Sequence, residues 1–503
     1  MPPGPAATAG SPATAGSRPT EDWKRLVRLL DEREIVLSTE GDRLEYLAPP
    51  GAMDAHLVAL IKGERQRLLA ALTGDGAAEA SAPAGIAQAR MHRSHGRVVD
   101  PSLWNITQRI TLRGPLDPDR LQRALTALTA RHRSLRTRYT PTDLGLLQQV
   151  LPAPAALPLP VAAVGDAVGD AGEAVAAATR EEAATPFDLG APPLLRARLL
   201  RLAPDHHVLL LTIHHIVLDG WSLATLLADL GTLYGDHLAV LPEPGSMIEH
   251  ACWERTVVTR EAVRRATARY AERLAGLPLT VPLPTDRPRP ERRSGHGGVL
   301  RFELTPELTA ALNRCAARRS TTPAAVVLAA LGDLLGELTG DDESLVMLST
   351  ANRRRREHER LVGLLTTNLP VRLPNRAPGG FAALIDRAAE ALASTLDRAD
   401  VPFGLLTEDL RALGLALPPS FPQVMLVVQS TPAPVLELTG LDVLVEDVPG
   451  SSARSDLLLM LTPEGRGLAG LAEYDADLFD EATVRGWIDG LVRRLAEQVP
   501  PLA

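Results

Sequence analysis

Residues 209–223 read LLLTIHHIVLDGWSL, and this stretch contains the candidate reactive site. An apolar, β-prone run ends in two adjacent histidines, and Asp219 and Gly220 then precede a helical pattern. Successive side chains of a strand point to opposite faces, so His214 and His215 cannot both face one pocket if the strand continues through them. We therefore expect one histidine to be structural and the other to be functional.

The residue types in this stretch suit proton transfer. An imidazole has an unperturbed pKa of about 6.5 and exchanges protons near neutral pH. Gly220 permits a tight backbone turn, and Asp219 lies where the start of a helix favours negative charge. No GxSxG nucleophile motif accompanies the pair, and HHxxxD alone is a weak indication of zinc. Taken alone, two structural histidines on an apolar strand remain the commoner arrangement.

Composition and charge exclude several classes of protein. Hydrophobic residues make up 45% and charged residues 23% of the 503 residues, as in ordinary globular proteins. The net charge of -8 argues against a general nucleic-acid binder. Cys252 and Cys315 stand far apart, without disulfide or zinc spacing, so inert thiols in a reducing cytoplasm are expected. The sequence contains no run of about 18 apolar residues, so it predicts no membrane span.

Helical and strand patterns alternate on both sides of the central stretch, which predicts an α/β or α+β body. A connection rich in Pro, Arg and Gly, residues 277–298, separates two halves of similar pattern. In the first half we predict helices at 118–133, 222–234 and 254–277, and strands at 194–202 and 208–213. In the second half we predict helices at 306–319, 323–338, 380–396 and 481–495, strands at 299–304, 344–349, 424–429, 436–445, 456–462 and 467–474, and an extended segment at 366–373.

The N-terminal residues form a separate small unit. Residues 21–73 show a helical pattern, a β-hairpin pattern in IVLSTEGDRLEY (35–46), and a second helical pattern over 53–72. Residues 1–20 are rich in Pro, Gly, Ala, Ser and Thr, which predicts a disordered tail. The composition of residues 74–84 predicts a linker.

Several motifs together carry a family resemblance. HHIVLDG, residues 214–220, matches HHxxxDG, and the chain resembles the condensation domains of nonribosomal peptide synthetases and their acyltransferase relatives over nearly all of residues 84–500. Other segments resemble family motifs in the family's order: AQARM (87–91) resembles AQxRLW, RHRSLRTRY (131–139) resembles RHExLRTxF, EHACWE (249–254) resembles YxDYAxW, ANRRRREHERLVGLLTTNLPVR (351–372) resembles an arginine-rich loop followed by GxFVNTLPLR, DVPFGLL (400–406) resembles QDxPFExL, FPQVMLVVQS (421–430) resembles FQVMFVLQN, and SARSDLLLMLT (452–462) resembles AKFDLxLxL.

The resemblance implies two chloramphenicol-acetyltransferase-like lobes in a V shape, residues 85–265 and 266–503, with the active site in a tunnel between them. It implies that His215 faces the substrates and that His214 is its structural partner. We hypothesise that the backbone at Gly220 stabilises the developing oxyanion. Asp219 would form a structural salt bridge with Arg353. The implied tunnel residues are Trp221, Ser222, Thr367, Asn368 and Gln429. The family's VNT reads Thr366-Thr367-Asn368 here, with Asn and Thr exchanged.

The resemblance also implies an activity and partners. An upstream acyl or peptidyl thioester would be joined to an aminoacyl thioester by an amide bond. The chain would bind no cofactor and no metal, because 4'-phosphopantetheine arms of donor and acceptor carrier proteins hold the substrates. The alternatives are an ester-forming or free-acceptor acyltransferase, an epimerase, whose helix usually opens DGVSW, and a catalytically silent recruitment domain. A cyclising variant would have Asp in place of His214.

Residues 21–73 resemble the TubC-type docking domains, small α-β-β-α units at the front of some synthetase subunits. The resemblance implies that the C-terminal tail of an upstream synthase subunit adds a strand to the hairpin edge. Lys24, Arg25 and Arg43 would then meet an acidic tail. The alternative is an inert cap.

Overall fold

The computed structural model describes residues 21–499 except 75, 99, 165–170, 237, 292, 398–399, 419–420, 430–434, 449 and 451–452. The disordered tail predicted for residues 1–20 lies outside the described residues. Helices and sheets are both present, which confirms the mixed α/β class. The strands are β1 Val36–Glu40, β2 Arg43–Leu47, β3 Ala80–Pro83, β4 Asn105–Arg113, β5 Thr137–Thr142, β6 Gly145–Val150, β7 Val161–Ala163, β8 Leu195–Ala203, β9 His206–His214, β10 Gly297–Leu304, β11 Glu343–Thr350, β12 Thr367–Pro374, β13 Val424–Val428, β14 Asp442–Val448, β15 Leu457–Glu464 and β16 Gly467–Asp475.

Helices flank the sheets, and short 3-10 turns lie at residues 101–104, 133–136, 215–217 and 356–358. Among the described residues no single helix is long and apolar enough to cross a membrane; Pro306–Arg318 and Pro323–Thr339 pass that test only as a pair, with a bend of 103° between them. The helices are α1 Glu21–Glu32, α2 Ala55–Gly63, α3 Arg65–Thr73, α4 Ile86–His95, α5 Pro118–Arg131, α6 Ala171–Ala184, α7 Gly220–Gly235, α8 Met247–Val257, α9 Arg260–Leu274, α10 Pro306–Arg318, α11 Pro323–Thr339, α12 Gly380–Leu396, α13 Phe403–Ala412 and α14 Glu481–Gln498.

The first sheet joins the N-terminal unit to the body and corrects the predicted linker. Its strand order is β2-β1-β3-β6-β5, with Ser81 of β3 paired to Thr39 on one side and Gln149 on the other. Residues 80–83 are therefore a central strand. The sequence suggested a linker because Ala and Ser have low β-propensity, but Ala80 and Ala82 are fully buried, and small side chains fit between the packed layers.

The second sheet, with strand order β14-β4-β9-β8-β7, forms the N-lobe. It corrects the division of the chain at residue 265, because β14 comes from the second half and pairs with β4 along its whole length. The strand predicted at 436–445 instead runs from Asp442 to Val448, and Arg109 and Glu446 form an ion pair of 2.9 Å across the pairing. The crossing strand covers what would otherwise be an open sheet edge.

The third sheet, with strand order β10-β16-β15-β13-β11-β12, forms the C-lobe. Side chains of β11 alternate between two cores. Val346 and Leu348 pack with α10, α11, α12 and α14, whereas Leu345 and Met347 pack with α9 and α13. The C-lobe sheet is therefore covered by helices on both faces.

Two predicted helices are each divided in two. The helix predicted at 254–277 is α8 followed by α9, because the Thr259 side chain accepts a hydrogen bond from the Ala262 N–H and starts a new helix. The helix predicted at 53–72 is α2 followed by α3, with the break at Glu64.

Candidate active site

The central stretch changes backbone conformation between the two histidines. β9 ends at His214, and residues 215–217 form a 3-10 turn. Asp219 then caps α7, its carboxylate accepting a hydrogen bond from the Ser222 N–H at 2.9 Å. The strand does not continue through His215, so the turn, together with the strand alternation, separates the two rings.

His214 is fully buried and is held by two hydrogen bonds. Its Nδ1 accepts from the Ile216 N–H at 3.0 Å, so the neutral ring carries its proton on Nε2, which lies 3.2 Å from Nδ1 of His95 on α4. Burial, reinforced by His95, lowers the pKa of His214 to about 2. His214 therefore stays neutral and ties the end of β9 to α4.

His215 has the opposite tautomer. Its Nδ1 lies 2.6 Å from the Leu218 carbonyl oxygen, which can only accept, so Nδ1 carries the proton and Nε2 keeps its lone pair. The ring is partly exposed. Burial lowers its pKa, and the positive charge of Arg454 lowers it further. A neutral imidazole with a free Nε2 is the protonation state that a general base requires.

Asp219 is the centre of a buried network that joins α7 to the loop after β11. Both oxygens bind the Arg353 guanidinium, at 2.6 and 2.8 Å, and the N–H groups of Leu365 and Thr366 donate to one of them at 3.0 and 3.2 Å. Burial alone raises the pKa of Asp219, but the charge and hydrogen bonds of Arg353, with those from Ser222 and Leu365, outweigh it and leave the pKa lowered. The carboxylate is therefore ionised and fixes the start of α7 beside His215.

Ser222 departs from its predicted place in a tunnel wall. Its side chain is fully buried, and its hydroxyl donates to the Gly363 carbonyl at 2.9 Å while accepting from the Gly363 N–H and from Arg353. Trp221 is partly exposed, and its Nε1 donates to the Glu359 carbonyl at 2.8 Å. Both side chains tie α7 to the loop at residues 351–363. The Ser222 hydroxyl has all its hydrogen-bond partners in this loop, so it is not available to line a tunnel.

The side chains of the exchanged segment 366–368 have different surroundings. Thr366, just before β12, donates its hydroxyl to Asp219 at 3.2 Å, and Asn368, the second residue of β12, is partly exposed. Thr367 is buried and lines a separate cavity of about 380 Å³ with Trp253, Arg354 and Asp400. Thr367 thus lines this cavity, whereas its neighbour Thr366 contacts Asp219.

Gly220 and Gln429 meet across the two lobes. A Cβ at Gly220 would lie 3.2 Å from the Gln429 Nε2, and Gln429 follows directly after β13 of the C-lobe. The φ angle of Gly220 is not positive. The structure therefore corrects the expected reason for the glycine, which is close approach of Gln429 and not a strained turn.

Two more histidines, which the sequence did not single out, lie beside the Asp219 network. His250 on α8 and His358 in the arginine-rich loop are buried, with Nδ1 of His250 3.3 Å from Nε2 of His358, and Trp253 packs edge-on against His358. Burial, with His358 and Arg353 nearby, lowers the pKa of His250 to about 3. The sequence feature that could have revealed this pair is His250, which occupies the position of the second tyrosine in the motif YxDYAxW.

The cations predicted for docking lie on the surface of the N-terminal unit. Lys24 contacts Glu21 at 2.9 Å, Arg43 contacts Glu45 at 3.3 Å, and Arg25 is exposed on α1. β2, which carries Arg43, is the outer strand of its sheet and is largely exposed. Among the described residues no strand pairs with its outer edge, so this edge can accept a strand from a partner.

Comparisons with known proteins point to one family. The family model described as Condensation domain matches residues 78–499. The chain is 31% identical over 413 residues to malpibaldin synthetase from Mortierella alpina, covering 79% of this chain and 7% of that protein. It is 32% identical over 429 residues to the probable non-canonical nonribosomal peptide synthetase CymA from Salinispora arenicola, covering 83% of this chain and 5% of that protein. The chain thus spans a small part of the curated relatives that it matches.

Solved structures share the fold. The X-domain from teicoplanin biosynthesis matches with a TM-score of 0.73 and 26% identity, covering 83% of this chain and 95% of that one. The EpoB cyclization-docking bidomain from Sorangium cellulosum matches with a TM-score of 0.70 and 20% identity, covering 94% of this chain and 98% of that one. The likeness to the EpoB bidomain, at 20% identity, shows the fold alone.

Proposed function

The chain belongs to the Condensation domain family, and on that premise we propose that it is an acyltransferase forming an amide bond between two carrier-bound thioesters. The donor is an acyl or peptidyl thioester, and the acceptor is an aminoacyl thioester with a free amine. The substrates are held on the 4'-phosphopantetheine arms of partner carrier proteins, and the chain itself binds no cofactor. The observation that carries the proposal is the His215 tautomer, which leaves Nε2 unprotonated on a partly exposed ring.

In the proposed reaction the acceptor nitrogen attacks the donor carbonyl, the new C–N bond forms and the C–S bond breaks. His215 Nε2 takes the proton that the nitrogen loses and returns it to the departing sulfur, which leaves as the thiol. An α-amino group has a pKa of about 7.7–8.0, so part of it is already neutral near pH 7. Orientation therefore supplies much of the rate, about 7–11 kcal/mol for well-placed reactants. Proton removal contributes a further ~10²–10⁴-fold.

The start of α7 is proposed to stabilise the negative charge that develops on the carbonyl oxygen. Gly220 is the first residue of the helix and is exposed. A helix N-terminus presents unpaired N–H groups and a positive end of the helix dipole. The Asp219–Arg353 pair holds that terminus in place, so it acts on the reaction through position.

Intact-protein mass spectrometry tests the reaction. The protein is mixed with a donor carrier loaded with an acyl group and an acceptor carrier loaded with an amino acid. We expect the acceptor carrier to gain the mass of the acyl group. Parallel mixtures with a hydroxyacyl acceptor carrier and with a free amino acid separate the ester-forming and free-acceptor alternatives. Product only in those mixtures would contradict amide formation between carriers, and no product with any acceptor would favour a recruitment domain.

We also propose that residues 21–73 form a docking domain for the C-terminal tail of an upstream synthase subunit. The exposed outer edge of β2 supports strand addition, and Lys24, Arg25 and Arg43 give the surface cations for an acidic tail. Replacing Lys24 and Arg43 with Glu should weaken binding of the upstream tail peptide at least tenfold, measured by fluorescence anisotropy. Arg318→Glu, an exposed change on the C-lobe, is the matched control. Equal binding by the two variants would contradict this role.

A further inference from the structure

His95 is the residue through which α4 contacts the paired histidines. It lies in the last turn of α4, and its Nδ1 is 3.2 Å from Nε2 of His214. His214 already accepts the Ile216 N–H with its own Nδ1, so the proton between the two rings belongs to His214 Nε2. His95 Nδ1 is therefore an acceptor, and the neutral His95 ring carries its proton on Nε2.

This order of donors and acceptors bears on His215, because the Ile216 N–H belongs to the same 3-10 turn. α4 packs against that turn, and His214 is fully buried with the Phe187 ring edge-on beside it. A second proton on His95 would bring two N–H groups face to face. His214 would then lose its bond to His95, or change tautomer and lose its bond to Ile216. Either change loosens the turn that holds His215.

The surroundings of His95 keep it neutral at pH 7 and let it gain a proton in acid. Burial lowers its pKa and the neighbouring His92 lowers it further, while Asp188 opposes both. The ring is only half-buried, unlike that of His214, so water can reach it. Protonation of His95 therefore belongs to the range below its ordinary pKa of about 6.5. The charged or titratable groups that face the two rings are His92, Asp188, Arg196 and His215.

The beginning of α4 is anchored without His95. The Ile86 N–H donates to the Glu254 carboxylate at 2.7 Å, and the Gln88 side chain donates to the Leu364 carbonyl at 3.0 Å. Loss of the His95 contact should therefore leave the helix in place and free only its end and the adjoining turn.

We propose that His95 is a positioning residue for amide formation, that it acts through His214 on the turn that holds His215, and that its protonation in mild acid slows the reaction. The inference rests on the proposed function. It predicts an effect on kcat with KM for the loaded carriers nearly unchanged, because the orientation of His215 governs bond formation and not carrier docking.

Two substitutions and a control test the role. His95→Asn places an amide oxygen near the position of Nδ1 and cannot be protonated, so kcat at pH 7.5 should stay close to the wild-type value. His95→Phe keeps a ring without the acceptor, and kcat should fall about 10–100-fold, as expected when a reacting group is misplaced. His56→Asn removes an exposed histidine from α2 and should behave as the wild type.

The pH profile separates positioning from a merely structural contact. Between pH 7.5 and pH 5.5 the wild type should lose about twofold or more kcat beyond the loss in His95→Asn, because only the wild type gains the proton on His95. The acceptor amine titrates alike in all the variants, so it cancels in this comparison. Wild-type kcat in His95→Phe, or the same pH profile in the wild type and His95→Asn, would overturn the inference.

Nuclear magnetic resonance of the protein labelled with ¹⁵N-histidine tests the hydrogen-bond order without turnover. At pH 7.5 the wild type should show Nδ1 unprotonated in both His95 and His214. On titration to pH 5.5 the His214 signals should shift as His95 gains its proton, and they should stay in place in His95→Asn. A proton on His95 Nδ1 at pH 7.5 would overturn the inference. Because the spectra need no substrate, they distinguish this failure from a failure of the proposed reaction.

Discussion

At the scale of residues, hydrogen bonds to the backbone give two neighbouring histidines different chemistry. His214 accepts from a backbone N–H through Nδ1, and His215 donates from Nδ1 to a backbone carbonyl. The first ring therefore carries its proton on Nε2 and the second keeps Nε2 as a base. Burial lowers both pKa values, so both rings are neutral at pH 7.

The Asp219–Arg353 pair leads to a prediction about stability. Both side chains are almost fully buried, with exposed fractions of 1% and 2%. Arg353→Ala should lower the free energy of unfolding by about 3–5 kcal/mol, because it leaves a buried carboxylate without its counter-charge. Urea denaturation followed by circular dichroism measures the loss.

The adjacent residue supplies the control for that prediction. Arg354 contacts Asp400 at 2.8 Å, but the Asp400 side chain is 65% exposed. Arg354→Ala should therefore cost less than about 1 kcal/mol. Equal losses of unfolding free energy in the two variants would show that the buried Asp219–Arg353 pair stabilises the fold no more than an exposed pair does.

At the scale of elements, the sequence predicted those parts that have strong periodicity and clear end signals. The bounds of α12 match the prediction, and the β8–β9 hairpin and α7 agree with it within a few residues. The motifs also brought Asp219 together with Arg353, which lie 134 residues apart. The pairing of strands that lie far apart in the sequence was not predictable. β3 reads as a linker because its residues are small, and β14 joins the N-lobe because β4 has a free edge there.

The helix α8 carries a prediction about pH, because His250 has a lowered pKa in the folded protein. Below pH 6.5 the unfolded chain binds a proton at this position that the folded protein does not bind. The contribution of the neutral His250 to the free energy of unfolding is therefore complete above pH 6.5 and is lost as the pH falls toward about 3. The groups that face the ring are His358, Trp253, Arg353 and Arg355.

Replacing His250 with Gln should reduce this dependence on acid. Between pH 7.5 and pH 5.5 the wild type should lose about 1 kcal/mol more free energy of unfolding than His250→Gln, since one pH unit below 6.5 corresponds to about 1.4 kcal/mol. Urea titrations at the two pH values give the difference. The same pH dependence in both proteins would contradict a buried neutral His250.

At the scale of the whole molecule, segments far apart in sequence join the lobes and the N-terminal unit. β14 returns to the N-lobe, and the loop at 351–363 binds the start of α7. The N-terminal unit shares a sheet with the body, and Arg260 contacts Asp31 at 2.6 Å while Trp23 donates to Asp143 at 3.0 Å. The N-terminal unit is therefore fixed to the N-lobe in this structure.

Deleting residues 1–75 should consequently destabilise the remaining chain. The deletion removes β1, so β3 becomes an unprotected edge, and it uncovers Leu147, which is fully buried in the core of the N-terminal unit. We expect the Tm to fall by several degrees, as about 2–4 °C accompanies each kcal/mol in a large domain. Arg133→Ala, which removes only the surface contact with Glu40, is the control. An unchanged Tm after deletion would contradict the shared sheet.

The most direct test concerns the proton acceptor itself. His215→Ala and the wild type are compared in single-turnover reactions between loaded donor and acceptor carriers, with amide product followed by intact-protein mass. We expect amide formation to slow by about 10²–10⁴-fold, with the Tm nearly unchanged because the ring is partly exposed. Amide formation at the wild-type rate in His215→Ala would contradict the assignment of His215 as the base.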